Sequence, residues 1–222
     1  MKIKDNLNIL DLVCLQLKSN FSLKKVEIEV IQRNTKVALK YCEGCFAGIN
    51  SKYYFDENSD IIFNPFHSGQ YTTFLYFLSR AIYLTCPEQR NLLDKIYYLN
   101  RMLNSVDLFY EVELPVVFFV DHPLGSVIGR GKFGKNFSFQ QNCTIGNNKG
   151  IYPTLSENII MLTGVSIIGD CNIGDNVLFG AHSFIKDTDI PAKSLVVGKF
   201  PNFKVLPLSE DLFRTYFSRF KL

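Results

Sequence analysis

From Leu155 to Ile185 an apolar residue recurs every six positions: Leu155, Met161, Ile167, Ile173, Phe179 and Ile185. Two residues further on stand polar or turn-forming pairs: Glu157-Asn158, Thr163-Gly164, Gly169-Asp170 and Asp175-Asn176. Four residues on comes a small or β-branched residue: Ile159, Val165, Cys171, Val177 and Ser183. In a chain that is 47% apolar, six hits in one register have a chance probability of about 1%, before the matched turns are counted. A period of six fits neither a helix nor a hairpin. It predicts a parallel β-helix, in which each hexad is one short strand plus a corner and three hexads close a triangular coil. The apolar residue points into a narrow interior, while Gly, Asn and Asp accept the corner dihedrals. Left-handed coils run against the usual right-handed crossover preference and so demand a strictly kept repeat.

An earlier six-step series, Val127, Phe133, Phe139 and Ile145, predicts further inward positions. Ten residues separate Ile145 from Leu155, so four are inserted around Asn148 to Ile151, and an extra loop at a solenoid corner usually sits on the functional face. Upstream the texture is helical. Ile9 to Leu17 predicts a short amphipathic helix, and Val26 to Tyr41 a second one that Gly44 and Gly48 end. Phe66 to Leu84 is apolar all round and predicts a buried helix; Pro87 breaks it, and Leu92 to Leu103 forms another. From Val106 the pattern is that of strands. The expected class is α + β: a helical N-terminal domain over 1–105, a left-handed parallel β-helix over 106–205, and a C-terminal tail over 206–222 that could be a helix.

A net charge of +3, with no basic run, argues against nucleic acid. The start reads as an amphipathic helix and not as a signal peptide, and Tyr71 to Leu84 is too short and too polar to span a bilayer. The reading is a cytoplasmic protein without a membrane segment. The six cysteines show no disulfide framework. Cys143 and Cys171 take the small-residue slot of hexads and should be buried thiols, and Cys42 with Cys45, lacking a second pair or a nearby His, reads as helix-end thiols.

With three histidines in the chain, each can be weighed. His182 takes a corner slot and reads as a turn residue. His67 opens the apolar helix, where capping serves as well as catalysis. His122 has Asp121 beside it and Asp107 about one coil earlier. Pro65-Phe-His-Ser-Gly-Gln-Tyr71, Val106-Asp-Leu108, Asp121-His122 fourteen residues after Asp107, Thr144-Ile-Gly146 before the inserted loop, and Gly198-Lys-Phe-Pro201 at the exit together resemble the serine acetyltransferase-like family of left-handed β-helix acyltransferases. The resemblance runs from His67 to Asn202, about 60% of the chain, and the Asp and Asp-His spacing is its most specific part.

That resemblance implies an O-acetyltransferase that moves acetyl from acetyl-CoA, its co-substrate, to a hydroxyl of a small acceptor, without a metal. An alcohol is a weak nucleophile at neutral pH, so a base must take its proton as it attacks the thioester, and imidazole suits that task. By similarity His122 is the base, Asp107 orients it, and Asp121 contacts the acceptor; Glu113 is the alternative orienting carboxylate. Asn147, Thr163 and Ala181 fall at coenzyme-contacting positions, and Lys199 is placed to pair with a CoA phosphate. The family's Arg-His pair after the loop, which holds a substrate carboxylate, is Ile151-Tyr152 here. Losing both cations removes a bidentate clamp, and Tyr152 can offer one hydrogen bond, suited to a sugar hydroxyl. The acceptor is therefore serine or a sugar or polysaccharide precursor. The expected assembly is a homotrimer, or a dimer of trimers joined through the apolar helices near Phe74 and Phe77. Two other classes stand beside this one: a non-enzymatic scaffold, and a carbonic-anhydrase-type metalloenzyme, which would need three His ligands where the β-helix holds His122 and His182.

Overall fold

The structure, a computed structural model, describes residues 1–222. Four helices come first: α1 (Ile9–Asn20), α2 (Lys25–Ala47), α3 (Ser68–Thr85) and α4 (Arg90–Asn104). The side chain of Asn8 caps α1 by accepting from the Leu10 and Asp11 amides, and Gly48 ends α2. All sides of α3 are apolar because α2, α4 and the first coil surround it. Phe74 and Phe77 are buried in this chain's own core. The two side chains themselves are therefore covered within one chain, while Tyr41, Leu84 and Val116 beside them stay exposed.

A left-handed parallel β-helix of about five turns follows. Its strands stack in three faces. The first face holds Phe118–Val120, Phe137–Phe139, Ile159–Met161, Val177–Phe179 and Ser194–Val197. The second holds Asp107–Leu108, Val127–Ile128, Thr144–Gly146, Ser166–Ile168 and Phe184–Lys186; the third holds Lys132–Phe133, Thr154–Leu155 and Asn172–Ile173. Leu155, Met161, Ile167, Ile173, Phe179 and Ile185 all point inward and are buried, as are the small residues Val165, Cys171 and Ser183. At the corners Asn136, Asn158, Asn176, Gly164 and Gly169 take positive φ. Asn136, Asn158 and Asn176 also bond to one another in a ladder, at 2.8 and 2.9 Å, so one residue type supplies both the corner dihedral and the coil-to-coil link.

The earlier series needs a correction. Val127 faces outward and is 44% exposed, while Ile128, in register with Ile145, is buried. The inward step from Ile128 to Phe133 is five residues, because the corner at Gly129-Arg130-Gly131 is one residue short.

The C-terminal segment is more than a tail. After Lys204–Pro207 pairs antiparallel with Ser194–Val197, α5 (Glu210–Phe217) lies on the outer side of the first face. Ser209 caps it by accepting from the Leu212 amide. Ile160 and Leu178 point outward from the coils, yet are buried by Phe217 and Phe220. The chain end is also stitched to the loop after α2: the Asn50 amide donates to the Arg219 carbonyl (2.7 Å) and the Lys221 amide to the Gly48 carbonyl (2.9 Å). Phe217→Ala should cost about 3–5 kcal/mol, the usual range for emptying a buried aromatic site. Urea unfolding checks it; a midpoint within error of wild type would show that the first face does not depend on its cover.

Candidate active site

The corner between the first and second faces differs between coils. From Val120 to Val127 the step is seven residues, where the coils below take five (Phe139 to Thr144, Met161 to Ser166, Phe179 to Phe184). The two extra residues fall at His122-Pro123, and His122 takes φ 51°. The bulge pushes the imidazole off the prism, with its side chain 74% exposed. Asp121 stands beside it, with Oδ1 3.6 Å from Nε2.

A second layer holds Asp121. Gln140, one coil on, donates from Nε2 to Asp121 Oδ2 (3.0 Å), and its Oε1 accepts from the Thr163 amide (3.0 Å) and hydroxyl (3.3 Å). His67 approaches from the helical side. Its Nδ1 accepts from the Gln70 amide (3.3 Å) at the start of α3, which leaves the proton of the neutral ring on Nε2. Burial pushes its pKa below the ordinary histidine value; the Asp121 charge opposes this and His122 adds to it. The close approach of α3 to the coil requires Gly69, since a Cβ there would lie 2.3 Å from the Val120 carbonyl oxygen.

Thr163 and Ala181 stack below on the same corner, linked by the His182 amide to the Thr163 carbonyl (2.7 Å), and Lys199 follows Gly198 at the same edge. Asp121-His122, Thr163 and Ala181 thus share one column, with coils about 4.8 Å apart, and Lys199 stacks on Phe184 just past it, at the start of the second face. His182 shares the column in a left-handed turn position, φ 60°. Its ring lies over Gly164, with Nδ1 2.5 Å from where a Cβ would be.

Other expected residues are elsewhere. Asn147 and Tyr152 sit at the far end of the second face, around the inserted loop, and bond to each other (3.3 Å). Within one chain they do not meet His122. Asp107 is engaged by the Tyr97 hydroxyl (2.6 Å) and, at 3.9 Å, by Arg101, both on α4. Glu113 is 85% exposed and lies 3.7 Å from Arg80. Among the ion pairs within 4 Å, His122 has Asp121 alone, so neither carboxylate expected to orient the ring reaches it. No three His, Cys, Asp or Glu side chains are grouped so as to hold a metal ion. Cys42 and Cys45 are buried, and burial pushes both thiols up, Cys45 to about 12.

No family model matches the chain. Curated relatives carry the name serine acetyltransferase. The Bacillus pumilus protein is 34% identical over 116 residues, 47% of this chain and 53% of its own length. The Bacillus subtilis protein is 28% identical over 144 residues, 60% of this chain and 62% of its own. The chain thus spans between about half and three-fifths of these two relatives. Among solved structures, Brucella abortus serine acetyltransferase superposes with a TM-score of 0.67 at 14% identity, covering 90% of this chain and 82% of that one. The Neisseria gonorrhoeae serine acetyltransferase in complex with serine gives 0.67 at 21%, covering 90% and 85%. At such identities the likeness is one of fold. Fold and repeat define a hexapeptide-type left-handed β-helix. The resemblance to the serine acetyltransferase-like family of β-helix acyltransferases holds in sequence and in fold.

No helix is long and apolar enough to cross a membrane.

Proposed function

We propose that the chain is an acetyl-CoA-dependent O-acetyltransferase with His122 as general base. The observation that carries this is the corner column: a bulged histidine beside a carboxylate, tied through Gln140 to the backbone at Thr163, with Ala181 below. In this reading Nε2 of His122 faces Asp121 and Nδ1 takes the acceptor's hydroxyl proton as its oxygen attacks the thioester carbonyl. The tetrahedral oxyanion then collapses, the carbon–sulfur bond breaks, and the imidazolium returns the proton to the CoA sulfur. Asp121 stabilises the imidazolium, the role first expected of Asp107, whose carboxylate is held by Tyr97 and Arg101. Thr163, Ala181 and Lys199 line the CoA side. Complexes of structural neighbours with CoA and with serine fit this reading.

The active assembly is a homotrimer. Tyr152 and Asn147 lie one face away from His122, so they can contribute to its site only from a second prism, which would also wall in the exposed imidazole. With α5 on the first face, the second and third faces remain for that contact. Release of CoA from acetyl-CoA, measured over serine and sugar acceptors, tests the activity; no release with any of them would sink it. Sedimentation at micromolar concentration should give a trimer, and a monomer there would leave the CoA groove without its second wall.

A further inference from the structure

The C-terminal segment also brings a cation onto the first face, one strand end away from this corner. Arg219 follows α5, and its backbone is held between the Asn50 amide and the Ile49–Phe220 bridge. Its guanidinium donates from Nη1 to Ser138 Oγ (3.1 Å) and from Nε to the Tyr216 carbonyl (2.8 Å). It lies 5.9 Å from the ring centroids of both Phe119 and Tyr216. No carboxylate stands within 4 Å of it, unlike Arg80, Arg90, Arg101, Arg130 and Arg214. Phe119 and Ser138 are cross-strand partners on the outer side of the first face. Two residues on along the same strands come Asp121 and Gln140, about 7 Å away at strand rise. The guanidinium thus lies on the outer side of the face whose next corner carries Asp121 and His122.

Two rings and two neutral acceptors hold this cation, and no anion in the chain neutralises it. Burial pulls its pKa below the usual arginine value, and the Asp121 charge partly restores it. Two of its five N–H donors are taken by protein acceptors, which leaves a donor edge of the kind that grips a carboxylate.

We infer that Arg219 is the specificity-determining residue that binds a carboxylate on the acceptor, holding its hydroxyl near His122. This rests on the acetyltransferase reading of the same site. It shifts the acceptor away from a neutral sugar and toward a small hydroxy acid or hydroxy amino acid, through a cation on the tail and not on the inserted loop.

The test uses two probes that differ in the carboxylate alone, L-serine and L-serinamide, with affinities measured by calorimetry so that turnover is not required. Wild type should bind serine roughly 10–100-fold more tightly than serinamide, the worth of a charge-assisted hydrogen bond. Arg219→Gln should erase the difference, with acetyl-CoA affinity and melting temperature unchanged. Arg219→Lys, which keeps the stem and the charge, should retain part of it, and it serves as the variant to read if the Gln variant fails to fold. A wild type that binds both probes equally, or neither, overturns the inference, as does an Arg219→Gln variant that keeps the preference. The transferase reading fails separately: serine bound through Arg219, with no CoA released from acetyl-CoA, would refute that reading and leave the anion site standing.

Discussion

His122→Ala lowers turnover by about 10²–10⁴-fold, with the fold and acetyl-CoA affinity unchanged. The ring stands off the prism on a two-residue bulge and buries little, so its removal leaves no cavity. On the general-base reading what is lost is the proton acceptor, and an alcohol without one attacks a thioester slowly at neutral pH. His182→Ala provides the contrast. That ring lies over Gly164 lower in the column and should change turnover little. Equal losses in both variants would favour metal chemistry over general-base catalysis. Unchanged turnover in His122→Ala would end the proposed mechanism. Asp121→Asn should slow the reaction as well, since the imidazolium then loses the one carboxylate within 4 Å. Asp107→Asn should act on the Tyr97–Arg101 contact and thus on the seat of α4 against the first coil.

The interior of the solenoid was legible because its phase is carried by single residues six apart. From Leu155 to Ile185 no corner changes length, and every sixth residue points inward. Where a corner shortens, as at Gly129-Arg130-Gly131, the phase slips by one and Val127 exchanges places with Ile128. The inserted loop was visible as a gap. The cover on the first face leaves only a faint trace in the sequence. Ile159-Ile160-Met161 and Val177-Leu178-Phe179 are apolar at all three positions, whereas Thr144-Ile145-Gly146 alternates. An unbroken triplet on a two-sided strand means that both sides are buried.

The candidate site was half legible. Asp121-His122 could be found because the pair is contiguous and falls on a corner. That Asp107 stays away from the ring could not, because a spacing of fourteen places it one coil away without showing that Tyr97 and Arg101 capture it. Gln140 and Arg219 had no signal of their own. Gln140 matters because the next coil presents Thr163 to it, and Arg219 because α5 folds back over Phe119. Both are consequences of packing, and neither belongs to a motif.

Ile173→Asp unfolds the β-helix or costs it several kcal/mol, since an unpaired carboxylate in an apolar interior must either stay charged without water or take up a proton. Ile173 is buried on the third face, in register with Leu155 and bridged to Ile190, and those neighbours offer nothing that could pair with a charge. The face has little to spare. Its strands are two residues long, so losing one register pair removes half of a strand's ladder. Val127→Asp is the matched control, the same change at a position that a strict six-residue count would put inside. It faces outward, and a surface substitution of this kind should stay within about 0.5 kcal/mol. Urea unfolding of the two variants side by side decides the matter. A tolerated Asp at 173 would mean that the interior is hydrated and the repeat misread, and an unfolded Val127→Asp would return Val127 to the core.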